Sequence, residues 1–185
     1  MEFLDKSVEL LDKSIYQVED DAFEGLRALE YLDLSDNKVL SLPAVALSRL
    51  PNLKRLKIDY NRIGALSYEI LRSVKGLEEL SLAYNIIREI PEGTFKDLKN
   101  LKILNLFGNK IAEVNSVTFS GVEQNLEYMD LGFNIIDDIS RISYPSLRYL
   151  NLERNMIRNI SGVFNLLRNL QVLYYRSTMK ASTYV

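Results

Sequence analysis

The sequence contains no cysteine, no histidine and no tryptophan. Without cysteine the chain can form neither disulfide bonds nor a thiolate metal site. Without histidine or cysteine it also lacks the groups on which Ser–His and Cys–His catalysis depend. No glycine-rich phosphate loop is present, since the eight glycines are scattered along the chain. These absences favour a protein that is not an enzyme and that uses no cofactor.

The chain also lacks a large excess of charge of either sign and any long apolar run. The 23 basic and 25 acidic residues give a net charge of −2, and the basic residues are scattered. This balance argues against nucleic acid as a partner. No apolar run approaches the ~18 residues of a membrane span, and the first residues do not form a signal peptide. We therefore expect no nucleic-acid partner and no direct membrane insertion of this segment.

What the chain does have is a repeat, Leu-x-x-Leu-x-Leu-x-x-Asn. Its closing residue is asparagine six times and Thr178 the seventh, and the steps between these positions are 24, 24, 24, 25, 21 and 23 residues. A fixed period of this length is typical of a stacked solenoid. We predict an α/β solenoid of about seven to eight repeats. The asparagines are Asn37, Asn61, Asn85, Asn109, Asn134 and Asn155.

Each position of the repeat has a predicted structural role. The two closely spaced leucines, such as Leu80 and Leu82, alternate with polar residues and predict a strand with one buried face. The asparagine is expected to turn inward and to bond backbone groups of neighbouring repeats. A spine of large side chains should line the back of the core, although the unit after Asn134 lacks its phenylalanine. The spine residues are Phe23, Leu47, Leu71, Phe95, Phe119 and Phe164.

The array is expected to be one continuous domain over residues 29–176. Residues 1–28 match its apolar pattern 24 positions earlier and predict a degenerate N-terminal repeat, with Lys13 in the asparagine position. Residues 177–185 carry no apolar period and predict a frayed or truncated tail. Because exposed ends present unpaired strand edges, self-association through uncapped solenoid ends is a further expectation.

The segment Leu29-Glu-Tyr-Leu-Asp-Leu-Ser-Asp-Asn37 resembles a leucine-rich repeat. The period and the phenylalanine spine resemble the "typical" class of extracellular receptors, and residues 118–134 are similar to repeats of chaoptin-like and Toll-like ectodomains. The resemblance implies a horseshoe with a parallel sheet on its concave face and short helices or irregular turns on its convex face. It also implies an extracellular or cell-surface recognition or adhesion protein, although such proteins usually carry disulfide-bonded caps and signal peptides. An intracellular, cytoplasmic scaffold and a structural spacer within a longer solenoid remain alternatives.

The candidate binding residues are apolar and aromatic side chains at positions that should face water. Exposed aromatic clusters rimmed by charge often mark partner surfaces, but aromatic pairs can also stabilise a sheet by packing across strands. Both explanations remain open. We expect the patch to bind a protein ligand, with Gly108 and Gly132 leaving room for an inserted side chain. The residues are Tyr60, Tyr84, Ile103, Phe107, Tyr128, Phe133 and Tyr149.

Other chemical signals are weak. Asp20-Asp21 and Asp137-Asp138 are adjacent carboxylates in predicted loops, where consecutive side chains rarely converge on one atom. We therefore expect a solvated loop rather than a metal site at Asp137-Asp138. Asn159-Ile-Ser is a possible N-glycosylation site, because it matches the acceptor sequence Asn-x-Ser/Thr.

Overall fold

The computed structural model describes residues 6–115, 117–160 and 163–176, apart from the side chains of residues 163 and 164. Within these residues a single sheet of eight parallel strands runs in sequence order, and three short helices lie in the segments between strands. Thr178, the tail over 177–185 and the Phe164 side chain lie outside the described residues. The elements are β1 (Ser7–Glu9), β2 (Tyr31–Asp33), α1 (Ala44–Ser48), β3 (Arg55–Lys57), α2 (Tyr68–Leu71), β4 (Glu79–Ser81), β5 (Ile103–Asn105), β6 (Tyr128–Asp130), β7 (Tyr149–Asn151), α3 (Val163–Leu166) and β8 (Val172–Tyr174).

The pairing of the strands follows the sequence repeat. Leu56 lies beside Leu32 and Leu80, each one period away. Leu104 pairs with Met129 across 25 residues, and Met129 pairs with Leu150 across 21 residues. The irregular spacings are therefore absorbed outside the strands, and the sheet stays in register. This confirms the predicted solenoid with its parallel ladder and its short helices and turns.

Each of the six inner strands, β2 to β7, buries its central residue completely and turns the two neighbours of that residue to the opposite face. Leu32, Leu56, Leu80, Leu104 and Leu150 have no exposed surface. The alternation of a strand produces this division, because successive side chains point to opposite faces of the sheet. Burial of each such leucine contributes about 1.5–3 kcal/mol. The outward residues form the open face of the sheet.

The six asparagines form the predicted ladder beneath the turns that follow the strands. Asn85 is buried, and its side-chain Oδ1 accepts the backbone N–H of Ile63 at 2.9 Å. Its Nδ2 donates to the carbonyl oxygens of Ile58 at 2.8 Å and Leu82 at 3.1 Å. One side chain thus bonds its own turn and the preceding repeat. The same pattern recurs at Asn37, Asn61, Asn109, Asn134 and Asn155.

The spine at the back of the core continues through the short repeat, contrary to the expectation from its missing phenylalanine. Tyr144 is fully buried and meets Phe119 edge to face, with ring centroids 6.0 Å apart. Phe119 in turn stacks on Phe95 at 5.7 Å. The aromatic ring of Tyr144 therefore fills the place of the missing phenylalanine. Its hydroxyl lies near the backbone of Phe119 but makes no hydrogen bond of normal geometry within the described residues, and burial raises its pKa.

Replacing Asn85 with alanine tests the ladder. The change Asn85→Ala leaves the Ile63 N–H and the Ile58 carbonyl without this partner in a buried site. We expect the free energy of unfolding to fall by about 1–3 kcal/mol, measured by urea denaturation. The matched control is Asn100→Ala, which removes an exposed amide that donates to Lys75 at 3.4 Å. Equal losses in both variants would contradict a special role for the ladder.

Substitutions of Tyr144 separate its ring from its hydroxyl. Tyr144→Ala opens a cavity in the spine, and we expect a loss of about 3–5 kcal/mol. Tyr144→Phe removes only the hydroxyl, so stability should change by less than about 1 kcal/mol or should rise. Thermal and urea unfolding measure both effects. A large loss in the phenylalanine variant would show that the hydroxyl makes a necessary bond.

Candidate protein-interaction surface

The structure divides the seven predicted binding residues into two groups. Tyr60, Tyr84, Phe107 and Phe133 lie in the turns at the carboxyl ends of the strands, and their rings form one stack. Ile103, Tyr128 and Tyr149 begin strands β5, β6 and β7, on the opposite side of the open face. The candidate surface is therefore two separate apolar groups rather than one patch.

The first group is a continuous stack of four rings, which we call the aromatic stack. Tyr60 lies nearly parallel to Tyr84, with centroids 4.4 Å apart. Phe107 contacts Tyr84 at 5.2 Å and Phe133 at 5.9 Å. The guanidinium of Arg154 lies over the free side of Phe133, 5.8 Å from its centroid. The side chains of Tyr60 and Phe133 pack on neighbouring rings and still remain 52% and 48% exposed.

The glycines beneath the stack have a different role from the one expected. A Cβ at Gly108 would lie 2.8 Å from the ring of Tyr84, and one at Gly132 would lie 2.8 Å from the ring of Phe107. The space left by each missing side chain is thus occupied by a ring of the chain itself. The prediction that these glycines leave room for an inserted side chain is wrong. They instead allow the rings of Tyr84 and Phe107 to approach the backbone closely.

The backbone under the stack adopts a conformation that aromatic residues rarely take. Tyr60, Tyr84 and Phe133 have φ angles of 52°, 53° and 54°, in the left-handed region. Glycine and asparagine adopt this region more easily, and bulky residues are uncommon there. Such conformations typically cost about 1–3 kcal/mol and cluster at functional sites. The chain therefore holds exposed aromatic residues at positions where a smaller residue would fold with less strain.

The second group runs along the start of the strands. Tyr128 and Tyr149 stack at 4.1 Å with nearly parallel rings, and Tyr149 also contacts Tyr174 at 5.5 Å. Ile103 pairs with Tyr128 in the sheet register. Tyr174 was not among the predicted residues, although it is 47% exposed. Its outward position in the repeat, in register with Asn151, is the sequence signal that could have identified it.

The centre of the open face between the two groups is polar. A depression of about 290 Å³ is lined by residues that include Asp59, Ser81 and Asn105. Asp59 accepts hydrogen bonds from the Ser81 hydroxyl at 2.6 Å and from the Ala83 N–H at 2.7 Å. Burial raises the pKa of Asp59, and it raises that of Asp130 as well. Because these carboxylates bond the turns of their own sheet, we assign them a structural role.

The amino-terminal edge of the sheet carries a charge pattern that sequence reasoning missed. Acidic and basic residues alternate from one repeat to the next just before the strands. Glu30 pairs with Lys6 and, at 2.9 Å, with Lys54, and these contacts lower its pKa to about 2. The same edge holds the pairs Lys102–Glu78 at 3.0 Å and Arg148–Glu127 at 3.6 Å. A comparison of residues one period apart would have shown the alternation.

The remaining sequence candidates do not form a site. Asp138 accepts hydrogen bonds from the backbone and hydroxyl of Ser140, at 2.8 and 3.0 Å, while Asp137 is exposed. Among the described residues no cluster of three or more potential metal-ligating side chains occurs. Asn159 is exposed, but Ser161 of its acceptor sequence lies outside the described residues. No helix in the described part of the chain has the length and apolarity to cross a bilayer.

Solved structures with a similar fold include chains of two complexes and a bacterial internalin. A chain of the TLR13–ssRNA13 complex is 31% identical, with a TM-score of 0.76 over 85% of this chain and 23% of that one. An internalin of Listeria monocytogenes is 26% identical, with a TM-score of 0.69 over 84% of this chain and 43% of that one. A chain of the Drosophila Toll–Spatzle complex is 25% identical, also with a TM-score of 0.69, over 82% of this chain and 22% of that one. The chain thus spans less than half the length of each of these proteins.

Sequence comparison points to the same repeat. No curated protein matches the chain significantly. The family described as "Leucine rich repeat" matches residues 6–63, 51–111 and 75–136, which together cover most of the array. The matched segments contain the asparagine ladder from Asn37 to Asn134 and the strands that it connects. The chain therefore belongs to the leucine-rich repeat family.

Proposed function

We propose that this array is a non-enzymatic protein-interaction module that binds a protein ligand on the concave face of its sheet. The observation that carries the proposal is the aromatic stack, in which Tyr60, Tyr84 and Phe133 stay exposed on strained left-handed backbone. Tyrosine and other aromatic residues are frequent hot spots of protein interfaces. Ile103, Tyr128 and Tyr149 provide a second apolar contact area on the same face. The proposed binding residues are thus the seven predicted from the sequence.

The proposed setting is an extracellular or cell-surface protein in recognition or adhesion. Support comes from the similarity to Toll in its complex with Spatzle, where a related array occurs in a protein–protein complex. Since the chain spans 22% of that chain, the similarity extends to the repeats alone. A cytoplasmic scaffold and a spacer within a longer solenoid are the competing proposals. A scaffold would bind its ligand in the cytoplasm, and a spacer would bind no ligand.

Single-stranded RNA is a further candidate ligand, because TLR13 occurs in a complex with it. Aromatic stacks combined with basic grooves are known to bind single strands. On this chain, however, the open face beside the stack carries Asp59, Asp130 and Glu153, and the net charge is −2. Carboxylates next to the rings would repel a phosphate backbone. The charge of the face therefore favours a protein ligand.

Asparagine substitutions in the stack provide the test. Tyr60→Asn/Phe133→Asn removes two exposed rings, and asparagine tolerates the left-handed backbone better. The lost ring contacts, about 0.5–1.5 kcal/mol each, should be offset by the relieved strain, so thermal stability should change little. Binding to the protein ligand should be lost. Tyr16→Asn/Leu40→Asn, which alters two exposed apolar residues outside the stack, should bind normally.

To find the ligand, the wild-type chain is immobilised and screened against purified extracellular and cytoplasmic proteins. A single-stranded RNA is screened in parallel. Binding of an extracellular protein that the stack variant loses supports the proposal. A ligand found only among cytoplasmic proteins favours the scaffold, and the absence of any ligand favours the spacer. Binding of RNA alone, or binding that the stack variant retains, contradicts a protein-binding stack.

A further inference from the structure

Three of the four rings of the aromatic stack belong to a larger surface at the carboxyl edge of the sheet. This surface, the carboxyl ridge, consists of the two residues that flank each ladder asparagine from Asn61 to Asn155. Six of its ten residues have large apolar side chains and are between 41% and 52% exposed. They are Tyr60, Tyr84, Ile86, Phe133, Ile135 and Met156.

The backbone of the ridge is held on both sides of each asparagine. The N–H of Tyr84 donates to the Phe107 carbonyl at 2.7 Å, in the next repeat. The N–H of Ile86 donates to the Ile63 carbonyl at 3.0 Å, in the preceding repeat. Because Asn85 between them is also bonded to both its own turn and the preceding repeat, the exposed side chains project from a rigid frame. A rigid apolar surface loses little conformational entropy when it binds.

The remaining side chains of the ridge are basic. Arg62, Lys110 and Arg154 occupy three of the other four positions, Gly108 is the fourth, and none of the ten residues is acidic. The nearest acidic residue of this column, Asp36, lies one repeat earlier. This excess of positive charge is confined to the ridge, because the open face beside it carries Asp59, Asp130 and Glu153 and the net charge of the chain is −2.

The cations of the ridge also differ from those of the opposite edge in their partners. At the amino-terminal edge Lys54, Lys102 and Arg148 each pair with a glutamate of the alternating charge pattern. Arg62, Lys110 and Arg154 form no ion pair with any residue in the described ranges. The positive charge of the ridge is therefore available to a partner, whereas that of the other edge is neutralised within the array.

We propose that the carboxyl ridge binds an extended protein segment that carries apolar side chains and carboxylates on the same face. The apolar side chains pack on the exposed rings and aliphatic side chains, and the carboxylates pair with Arg62, Lys110 and Arg154. The five turns of the ridge span about 19 Å at ~4.8 Å per strand, which matches roughly six residues of extended chain. The inference rests on the proposed function and specifies the chemistry of its ligand.

The test uses synthetic peptides of about twelve residues, long enough to cover the ridge. One peptide alternates the pair leucine-phenylalanine with a pair of glutamates, so that each face of the extended chain carries both kinds of side chain, and the second replaces every glutamate with lysine. Fluorescence anisotropy with the full chain should show binding of the acidic peptide and at least about tenfold weaker binding of the basic one. Raising the salt concentration should weaken the binding of the acidic peptide, because exposed ion pairs are screened.

Charge-reversal variants locate the site. Arg62→Glu/Lys110→Glu/Arg154→Glu should reduce the affinity for the acidic peptide about tenfold or more. The matched control, Arg27→Glu/Arg49→Glu/Arg141→Glu, makes the same change of net charge at exposed arginines away from the ridge and should retain the affinity. A second variant tests the apolar contacts of the ridge: Ile86→Ser/Ile135→Ser should weaken binding of the acidic peptide. Its control, Val45→Ser/Val117→Ser, alters exposed apolar residues away from the ridge and should bind the peptide normally.

Three results would overturn the inference. They are equal binding of the two peptides, an equal loss of affinity in the ridge variant and its control, and no binding of the acidic peptide at concentrations on the order of 1 mM. Tighter binding of a single-stranded RNA of about twelve nucleotides that displaces the peptide would assign the ridge to nucleic acid instead. If Tyr128→Ser/Tyr149→Ser abolishes binding of a protein ligand and the ridge variants do not, the protein-binding function stands and the ridge is not its site.

Discussion

The structure depends on one interaction, the hydrogen bonding of a buried asparagine side chain beneath each turn. Its oxygen accepts a backbone N–H from the repeat before it, and its nitrogen donates to carbonyl groups of its own turn and of that same earlier repeat, as Asn85 shows. A buried turn without these bonds would leave backbone groups unsatisfied, at about 1–3 kcal/mol each. The asparagine therefore makes a tight turn possible at the edge of a closely packed array. The apolar spine and the leucine columns fill the core around it.

This constraint has a consequence for function. Because the asparagine fixes the turn, the residues on either side of it need not contribute to the core and are free to vary. In most repeats of this chain those positions hold exposed aromatic, aliphatic or basic side chains, and the aromatic residues Tyr60, Tyr84 and Phe133 tolerate a strained backbone. At the other edge of the sheet the charged residues neutralise one another. The two edges of one sheet thus differ in what they offer a partner.

The fold could be predicted from the sequence because each repeat position has a fixed role that a single period reveals. The ladder, the strands and the spine residues from Phe23 to Phe119 all lie where the spacing places them. Tyr144 was missed because a tyrosine stands there instead of a phenylalanine, although it lies ten residues after Asn134 just as Phe119 lies ten residues after Asn109. The role of Gly108 and Gly132 was misinterpreted because the sequence does not show where the ring of the neighbouring repeat points. The charge alternation was missed although residues one period apart in the sequence show it, whereas the exposure of the ridge and the unpaired state of its cations among the described residues became visible only in the structure.

The central claim is that the asparagine ladder makes the turns a rigid frame for the side chains beside it. Hydrogen exchange at the amides that donate to the ladder measures this directly. The N–H groups of Ile63, Ile87 and Ile111 donate to asparagine oxygens at 2.9, 3.0 and 3.0 Å. We predict that they exchange as slowly as the amides of the central strands, through global unfolding alone. Exchange at the rate of exposed loops would contradict the account, because the turns would then open independently of the array.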